Sequence, residues 1–153
     1  MELFHKLLPL AQESWNESSR AKAETCAFYG KRDLKIEPDA DQYQRLDSLG
    51  ILLLLTLRDG NDVVGYLLAV THPALHHKQI ICANVDCVYV DPDYRSYTGV
   101  MIERFEKEAT DRGAQIIGWP THPNGPVYEV LTAMGYVGDD LVMEKQLIQS
   151  MKQ

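Results

Sequence analysis

The segment from Asp86 to Val100, DCVYVDPDYRSYTGV, constrains the fold of this chain more than any other part of it. It begins with an apolar run typical of a strand and breaks at Asp91-Pro92. A short polar loop follows, and from Thr98 onward apolar residues recur at helical spacing. A strand that turns tightly into a helix brings unpaired backbone N–H groups and the positive end of the helix dipole together. The segment therefore predicts an anion site, most naturally for a phosphate or pyrophosphate.

The glycine pattern separates this segment from two common phosphate-binding loops. A P-loop requires GxxxxGK[ST] and the dinucleotide fingerprint requires GxGxxG, whereas this segment carries the single glycine Gly99. Neither a lysine nor a Mg²⁺-binding aspartate follows the loop, so a nucleotide-phosphate binder is poorly supported.

The segment resembles the acyl-CoA loop of the GCN5-related N-acetyltransferases, and the small phage-type members in particular. The family pattern is V-D-P-x-Y/H-R/Q-x-x-G-x-G/A. The matching residues are Val90, Asp91, Pro92, Tyr94 and Arg95. The two family glycines fall on Thr98 and Val100, where a threonine is expected to cap the helix and donate to phosphate.

A second family signature, N-x-x-A-x-x-x-Y-x-x-x-G-F/Y, resembles the downstream segment NGPVYEVLTAMGY. Asn124, Gly135 and Tyr136 match it at the right spacing. The alanine is replaced by Val127, and the tyrosine, which in the family is the usual acid for the departing CoA thiolate, is replaced by Leu131.

The resemblance implies a single N-acetyltransferase domain over residues 1–153 with an α/β (α+β) fold. A mixed, mostly antiparallel sheet would be flanked by helices, with a splayed strand pair that binds acetyl-CoA. The implied reaction is direct transfer of acetyl from acetyl-CoA to an amine of a small molecule or protein, without a metal. The implied cofactor-binding residues are Val88, Tyr89, Val90, Arg95, Ser96, Tyr97, Thr98, Gly99, Val100 and Asn124. The backbones of Val88 and Val90 would pair with the pantetheine arm, with the Val90 amide near the acetyl carbonyl, as in an oxyanion hole.

Amine acetylation needs a base that removes the ammonium proton. Strict alternation places Asn84, Asp86, Val88 and Val90 on one face of the strand, with Cys87 on the other. Some family members carry their base glutamate at the position of Asn84. Asp86 is the carboxylate on that face and is our candidate base, with a pKa raised by apolar neighbours. The alternative is a structural aspartate bonded to a loop, and Cys87 is a poor nucleophile candidate on this pattern.

The acid that protonates the thiolate is less defined. Tyr128 lies one helical turn before Leu131 and is our candidate, although an ordinary half-buried helix tyrosine would look the same. The thiolate can also leave unassisted.

The rest of the chain predicts further helices and strands in the order of the acetyltransferases. The predicted elements are helices Leu3–Trp15 and Asp39–Asp47, strands Ile51–Arg58, Val63–Thr71 and Gln79–Val90, helix Thr98–Arg112, strand Ala114–Trp119, a helix from Gly125 or Pro126 to Met134, and strand Leu141–Leu147. Asp39 is predicted to cap its helix, and Asp59-Gly60-Asn61-Asp62 is predicted to form a hairpin turn. The helix Thr98–Arg112 is predicted to carry the i,i+4 pairs Glu103–Lys107 and Glu108–Arg112. Residues His72–Lys78, which contain three histidines, are predicted to be an ordinary surface loop rather than a metal site, and contact with the substrate is the second interpretation. Phe28-Tyr29 would form a lid over the acceptor or fix the early loop to the sheet.

Composition limits the partners and the compartment. The chain has 153 residues, 15 basic and 22 acidic, and a net charge of −7. This balance argues against nucleic acid as a partner and mildly favours cationic acceptors. Its three cysteines suggest reduced thiols and a cytoplasmic protein. The apolar run Ile51–Leu55 is too short to cross a bilayer, and the N-terminus lacks a signal-peptide pattern.

A second function remains open at this stage. The replacements at Thr98, Val100 and Leu131 also suit a catalytically weak acyl-CoA-binding or protein-interaction module, such as a phage effector that acts on a host protein. A homodimer is also left open.

Overall fold

The computed structural model describes residues 39–121 and 125–138, without the side chain of Pro126. Several predicted features lie outside this part of the chain. They are the helix Leu3–Trp15, the pair Phe28-Tyr29, the strand Leu141–Leu147 and the cofactor candidate Asn124.

The described residues form three α-helices, one 3₁₀ helix and a four-stranded sheet. In chain order these are α1 (Ala40–Ser48), β1 (Leu52–Asp59), β2 (Asp62–Ala74), β3 (His77–Val90), the 3₁₀ helix (Pro92–Tyr97), α2 (Thr98–Asp111), β4 (Ile116–Gly118) and α3 (Pro126–Ala133). The strands are ordered β1-β2-β3-β4. Both β1–β2 and β2–β3 are antiparallel, and β3–β4 is parallel, so the sheet is mixed as predicted.

The ends of the helices follow the local sequence signals. The Asp39 side chain accepts a hydrogen bond from the Gln42 N–H at 3.1 Å and so caps α1, as predicted. Gly113 and Gly135 end α2 and α3 with φ of 86° and 91°, a conformation that glycine adopts without strain. Within the described residues, no helix is long and apolar enough to cross a membrane.

The β1–β2 hairpin closes through a two-residue turn. Asp59 pairs with Asp62 across Gly60-Asn61, and Gly60 has a positive φ of 56°. The predicted turn is therefore confirmed.

The β2–β3 hairpin corrects the prediction of a loop over His72–Lys78. Strand β2 continues to Ala74, which pairs with His77, so only Leu75-His76 form the turn. The ladder continues past Thr71 because backbone groups can pair whatever their side chains are, and its register shifts between Pro73, opposite Ile81, and Ala74. His72 is thus a strand residue, opposite Cys82.

A β-bulge in β3 overturns the predicted facing of that strand. Leu68 pairs with Cys87 and Ala69 pairs with Val85, so Asp86 is the extra residue. Because one residue is inserted, the alternation reverses across the bulge. Val88 and Val90 therefore pack against the core with Val85, and do not share a face with Asn84 as strict alternation predicts.

The core lies between the sheet and α2. Helix α2 directs a stripe of apolar residues to the sheet, and the sheet meets it with alternate residues of each strand. The fully or nearly buried members are Leu53, Leu67, Ala69, Ala83, Val85, Met101, Phe105 and Ala109. This face is called the α2 face below, and the opposite one, which carries Tyr66 and Leu68, is called the outer face.

Ion pairs lie along the exposed side of α2. The predicted pair Glu108–Arg112 is present, with Nε and Oε1 3.6 Å apart, and Arg104 also approaches Glu108. Lys107 bonds to Asp111 at 2.6 Å, rather than to Glu103 as predicted. Such exposed i,i+4 pairs contribute roughly 0.3–0.5 kcal/mol each.

Candidate functional site

The sheet opens between β3 and β4. Their parallel pairing covers three residue pairs and ends at Asn84 opposite Gly118. Strand β3 continues for six more residues, Val85–Val90. Within residues 39–121 and 125–138, no strand pairs with this edge of β3 beyond Asn84. The result is a splayed opening whose vertex lies at the Asn84–Gly118 pair.

The backbone groups of Val88 and Val90 point into the splayed opening. The Asp91 N–H donates to the Val64 carbonyl at 2.9 Å, so this position bonds to β2. In an antiparallel ladder hydrogen-bonded and non-hydrogen-bonded residues alternate. The backbone N–H and C=O groups of Val90, opposite Gly65, and of Val88, opposite Leu67, therefore point away from β2. Among the described strands, none pairs with the N–H and C=O groups of Val88 and Val90 on this side, so an extended ligand can bond to them there.

Gly65 allows the close approach of β2 and β3 beside Val90. A Cβ at this position would lie 2.9 Å from the Tyr89 carbonyl oxygen and 3.4 Å from the Val90 Cα. These two atoms are backbone, and the third neighbour is Leu57 Cβ at 3.3 Å, so none of them can rotate away.

Replacing Gly65 by alanine is expected to destabilise the protein by about 1–3 kcal/mol, because the added methyl overpacks the β2–β3 contact. Denaturant unfolding measures the change. Gly99→Ala is the matched control, since a Cβ at Gly99 meets no atom within 4 Å. Equal unfolding free energies for the two variants would contradict the close approach.

A 3₁₀ helix connects β3 to α2 at the open end of this opening. Its first turn is held by the Asp91 side chain, which accepts from the Asp93 N–H at 3.0 Å. The Tyr94 hydroxyl donates to Asp59 Oδ2 at 2.7 Å and ties the connection to the β1–β2 hairpin. The Arg95 and Ser96 side chains are left exposed.

The N-terminus of α2 has the features of an anion site. Its N-cap residue, Tyr97, makes no side-chain capping bond, and the first turn contains no acidic residue. Gly99 has open space where a side chain would stand. The Thr98 hydroxyl donates to the Arg95 carbonyl at 2.8 Å. The prediction that Thr98 caps the helix is therefore wrong, because Thr98 is the first helical residue.

Asp86 lies at the bulge, on the outer face with Cys87. The prediction that Cys87 faces the opposite side is wrong, because the inserted residue turns both side chains to the Leu68 side. Although the Asp86 side chain remains in contact with solvent, burial by the surrounding protein raises the pKa of its carboxyl, in the predicted direction.

Two groups interact electrostatically with Asp86. Burial, and then the negative charge of Asp86, raises the pKa of Cys87 to about 12. The pKa of Tyr43, on α1, is raised to about 12, first by burial and then by Asp86 and Cys87. A thiol this weakly acidic is a poor nucleophile, so the sequence prediction for Cys87 stands for a different reason.

Helix α3 carries the candidate acid. Tyr128 is half-buried, and a Cβ at Gly138 would lie 3.9 Å from its hydroxyl. Leu131 is 3% exposed and belongs to the interior, so its position offers no proton donor.

Two buried polar atoms lie beyond β4. The Trp119 ring packs edge-on against Phe105 at 5.6 Å and Tyr136 at 6.2 Å between centroids. Among the described residues, Trp119 Nε1 and the Tyr136 hydroxyl have no hydrogen-bond partner of good geometry. Burial raises the pKa of Tyr136 to about 12, and nearby Glu106 adds to the increase.

A polar pair at the vertex was missed by the sequence reasoning. His72 Nε2 lies 2.8 Å from Asn84 Nδ2, and His72 Nδ1 lies 3.0 Å from the Pro73 carbonyl oxygen. Extending β2 past Thr71 would have placed His72 beside Asn84 on the outer face. In the part of the chain that the structure describes, no group of three or more His, Cys, Asp or Glu side chains is arranged as metal ligands.

No protein-family model and no curated protein sequence matches this chain. Solved structures do. A probable acetyltransferase aligns over 99% of this chain and 95% of its own, with a TM-score of 0.67 and 13% identity. An aminoglycoside acetyltransferase from an uncultured soil metagenomic sample covers 78% of this chain and 79% of its own, with a TM-score of 0.63 and 16% identity. A predicted acetyltransferase from Clostridium acetobutylicum, solved with acetyl-CoA, covers 73% and 79%, with a TM-score of 0.57 and 18% identity.

These likenesses are at low identity, so they establish the architecture and leave the activity open. Together with the mixed sheet and its flanking helices, they confirm the predicted fold: the chain adopts the fold of the GCN5-related N-acetyltransferases.

Proposed function

We propose that this protein transfers an acetyl group from acetyl-CoA to an amine, directly and without a covalent enzyme intermediate. The observation that carries the proposal is the splayed opening between β3 and β4, which leads directly to the uncapped N-terminus of α2. The splayed opening suits an extended arm with amide groups, and the N-terminus of α2 suits a pyrophosphate. Acetyl-CoA contains both an amide-bearing pantetheine arm and a pyrophosphate.

In this arrangement the pyrophosphate binds at the start of α2. The backbone of Gly99 and Val100 supplies N–H groups, whereas the Thr98 N–H already donates to the Arg95 carbonyl. The exposed Arg95 supplies a positive charge, and Thr98 lies beside them as the first residue of α2. Ser96 and Tyr97 border the same site, and Tyr89 and Asn124 complete the proposed set of cofactor residues.

The pantetheine arm then runs along β3 from the α2 end toward the vertex. It pairs with the backbones of Val88 and Val90, which point into the opening. Strand β3 rises about 3.3 Å per residue, so Val88 is nearer to the vertex than Val90 by roughly 7 Å. The thioester ends the arm, and the geometry therefore favours the Val88 amide over the Val90 amide as the donor to the acetyl carbonyl.

The acceptor amine approaches from the outer face, where Asp86 lies. A carboxyl with a raised pKa is a suitable proton acceptor for an ammonium group. Tyr128 donates a proton to the departing thiolate in this proposal, or the thiolate leaves into water. The acceptor is a small-molecule amine or a protein amine, and the net charge of −7 suits a cationic one.

One observation keeps a second function in view. Leu131 is buried and cannot serve as the acid that the family places there. A module that binds acyl-CoA or a protein without turnover would tolerate this residue. Binding of acetyl-CoA without thiol release from any amine in a broad panel would favour that module.

Acetyl-CoA is expected to raise the melting temperature by roughly 5–10 °C at a hundredfold excess over its dissociation constant. Acetyl-pantetheine, which lacks the pyrophosphate, should raise it much less. Gly99→Val should abolish the acetyl-CoA shift, because a branched side chain blocks the approach of phosphate to the α2 backbone.

The Gly99 variant is informative because the protein itself leaves open space at this position. Its melting temperature without ligand should therefore stay close to that of the parent protein. Thr110→Val, a branched residue at the far end of α2, is the control and should keep the full shift. A full shift in Gly99→Val, or none in the parent protein, would contradict the proposed pyrophosphate site.

A further inference from the structure

The two neighbours of Val88 in the chain turn their side chains to the outer face. Tyr89 pairs with Tyr66, and directly opposite residues of a ladder place their side chains on the same face. Cys87 pairs with Leu68 in the same way. Consecutive Cα atoms are about 3.8 Å apart, so the Tyr89 side chain begins close to the Val88 amide. An acceptor that approaches this amide from the outer face therefore meets Tyr89.

The ring of Tyr89 is held in place by Tyr66. The two ring centroids lie 6.0 Å apart, with an angle of 33° between the ring planes. Tyr66 is 7% exposed and so is fixed by its surroundings, whereas Tyr89 is half-buried and keeps part of its surface in contact with solvent. Tyr89 thus presents an oriented aromatic surface to the outer face.

Asp86 adds a negative charge beside this aromatic surface. It is the inserted residue of the bulge, and its side chain is exposed on the outer face. Asp86 and Tyr89 are three residues apart, so their Cα atoms are roughly 10 Å apart along β3. An ammonium nitrogen contacts a carboxylate oxygen at about 2.8 Å and a ring centroid within about 6 Å. One ammonium group between the two side chains can therefore contact both.

The carboxylate of Asp86 has aromatic neighbours and lacks a cationic one within the described ranges. The ion pairs of residues 39–121 and 125–138 lie along α2, and none of them includes Asp86. Tyr43 on α1 feels the negative charge of Asp86, which raises its pKa in addition to the effect of burial. The Tyr43 ring must therefore lie near the carboxylate. Aromatic side chains from α1 and β3 thus border Asp86.

A carboxylate bordered by aromatic rings suits an organic cation. The carboxylate pairs with the positive charge, and the negative face of an aromatic ring attracts it as well. A primary alkylamine is an ammonium ion near neutral pH, as the lysine side chain is. An aromatic amine is neutral there, so neither side chain attracts it by charge.

We propose that Tyr89, held by Tyr66, and Asp86 together bind the ammonium group of the acceptor, and that the acceptor is a primary alkylamine. This inference rests on the proposed acyltransferase function. When Asp86 takes the ammonium proton, the electron pair of the broken N–H bond stays on nitrogen. The amine and the carboxyl are then both neutral, so their attraction weakens and the nitrogen is released toward the thioester beside Val88.

The first test compares acceptor and cofactor kinetics, with thiol release as the measured signal. Tyr89→Leu removes the ring and should raise the KM for butylamine about tenfold. The KM for acetyl-CoA should stay unchanged, because the β3 backbone that faces the opening is kept. Tyr89→Phe keeps an aromatic face and should restore both KM values to within about twofold of the parent protein. Leu75→Ala, at the exposed hairpin tip, is the control and should match the parent protein.

Two alkylamines distinguish the source of the acceptor. Butylamine presents the ammonium group of a small molecule, and a lysine-containing peptide presents that of a protein. The one with the higher kcat/KM identifies the source, and Tyr89→Leu should raise the KM for both. A lower KM for aniline, an aromatic amine, than for either alkylamine would overturn the proposed substrate class.

The second test depends on neither turnover nor acetyl-CoA. Butylammonium chloride and its neutral counterpart butanol are titrated into the protein, and the Tyr89 ring resonances are followed by NMR. Butylammonium should shift these resonances and should bind at least about tenfold more tightly than butanol. Asp86→Asn should remove most of this preference, because it removes the charge and keeps the shape of the side chain.

Equal affinity for butylammonium and butanol, or an unchanged butylamine KM in Tyr89→Leu, would overturn the inference while leaving the acyltransferase function intact. The opposite failure is also visible. If the parent protein prefers butylammonium over butanol but acetylates no amine, the cation site is supported and the acyltransferase function fails.

Discussion

Asp86→Asn is expected to lower the acyl-transfer rate by about two orders of magnitude while keeping acetyl-CoA binding unchanged. Asparagine has nearly the same shape, but it cannot take the ammonium proton. The measurement is kcat by thiol release, after an acceptor has been found in a panel of amines and peptides. The acetyl-CoA thermal shift is the control for an intact cofactor site.

The pH profile distinguishes a base from a structural aspartate. A base works in its ionised form, so the rate should fall as pH decreases through the raised pKa of Asp86. Asp86→Asn should remove this acidic limb. An unchanged rate in Asp86→Asn would show that proton removal proceeds through water or the substrate itself.

The same pKa shift predicts an effect on stability with a definite sign. Because the pKa of Asp86 is raised in the folded protein, folding favours the protonated form. The contribution to stability is fully present below the unfolded-state pKa and is lost as pH rises through the folded-state pKa. Near neutral pH, Asp86→Asn should therefore unfold at an equal or higher temperature than the parent protein. A clear loss of stability there would indicate the structural role instead.

Phe105→Ala is expected to reduce the free energy of unfolding by about 3–5 kcal/mol. Phe105 is completely buried between α2 and the sheet, and its ring also supports Trp119 edge-on. Removing the ring leaves a cavity that α2 and β4 cannot both close. Denaturant unfolding measures the loss.

Val100→Ala is the matched control for Phe105→Ala. Val100 lies on the same helix but is 59% exposed. Its truncation should change the unfolding free energy by no more than about 0.5 kcal/mol. Similar losses of unfolding free energy in the two variants would contradict the assignment of the core to the apolar residues of α2 that face the sheet.

Local signals allowed most element boundaries to be predicted from the sequence. The Asp39 cap, the Gly60-Asn61 turn and the glycine that ends α2 each depend on interactions within a few residues. The strand-to-helix connection from Asp86 to Val100 was also predicted from local signals. Its turn residues and the apolar residues at helical spacing follow one another directly in the sequence. Such features depend weakly on the rest of the fold.

The position of Asp86 depends on the pairing between β2 and β3, which are joined by contacts distant in the sequence. The residues leading to Asp86 alternate regularly, and no glycine or proline marks a bulge there. The extra residue becomes visible only when Leu68 and Ala69 are paired with β3. It turns Asp86 and Cys87 to one side and Val88 to the other, so the register between strands assigns the candidate base to the outer face.

The sequence by itself determined the α/β class, the strand–loop–helix segment and the identity of Asp86 as a candidate base. The strand–loop–helix segment follows from periodicity and turn chemistry, which are properties of neighbouring residues. The fold class and the role of Asp86 were implied by the resemblance of this segment to the acetyltransferases. Only the tertiary structure decided which face Asp86 occupies, where β3 and β4 part, and that His72 meets Asn84. Residues 72 and 84 are far apart along the chain, and their contact is fixed by strand register, a cooperative result of burying the whole α2 face.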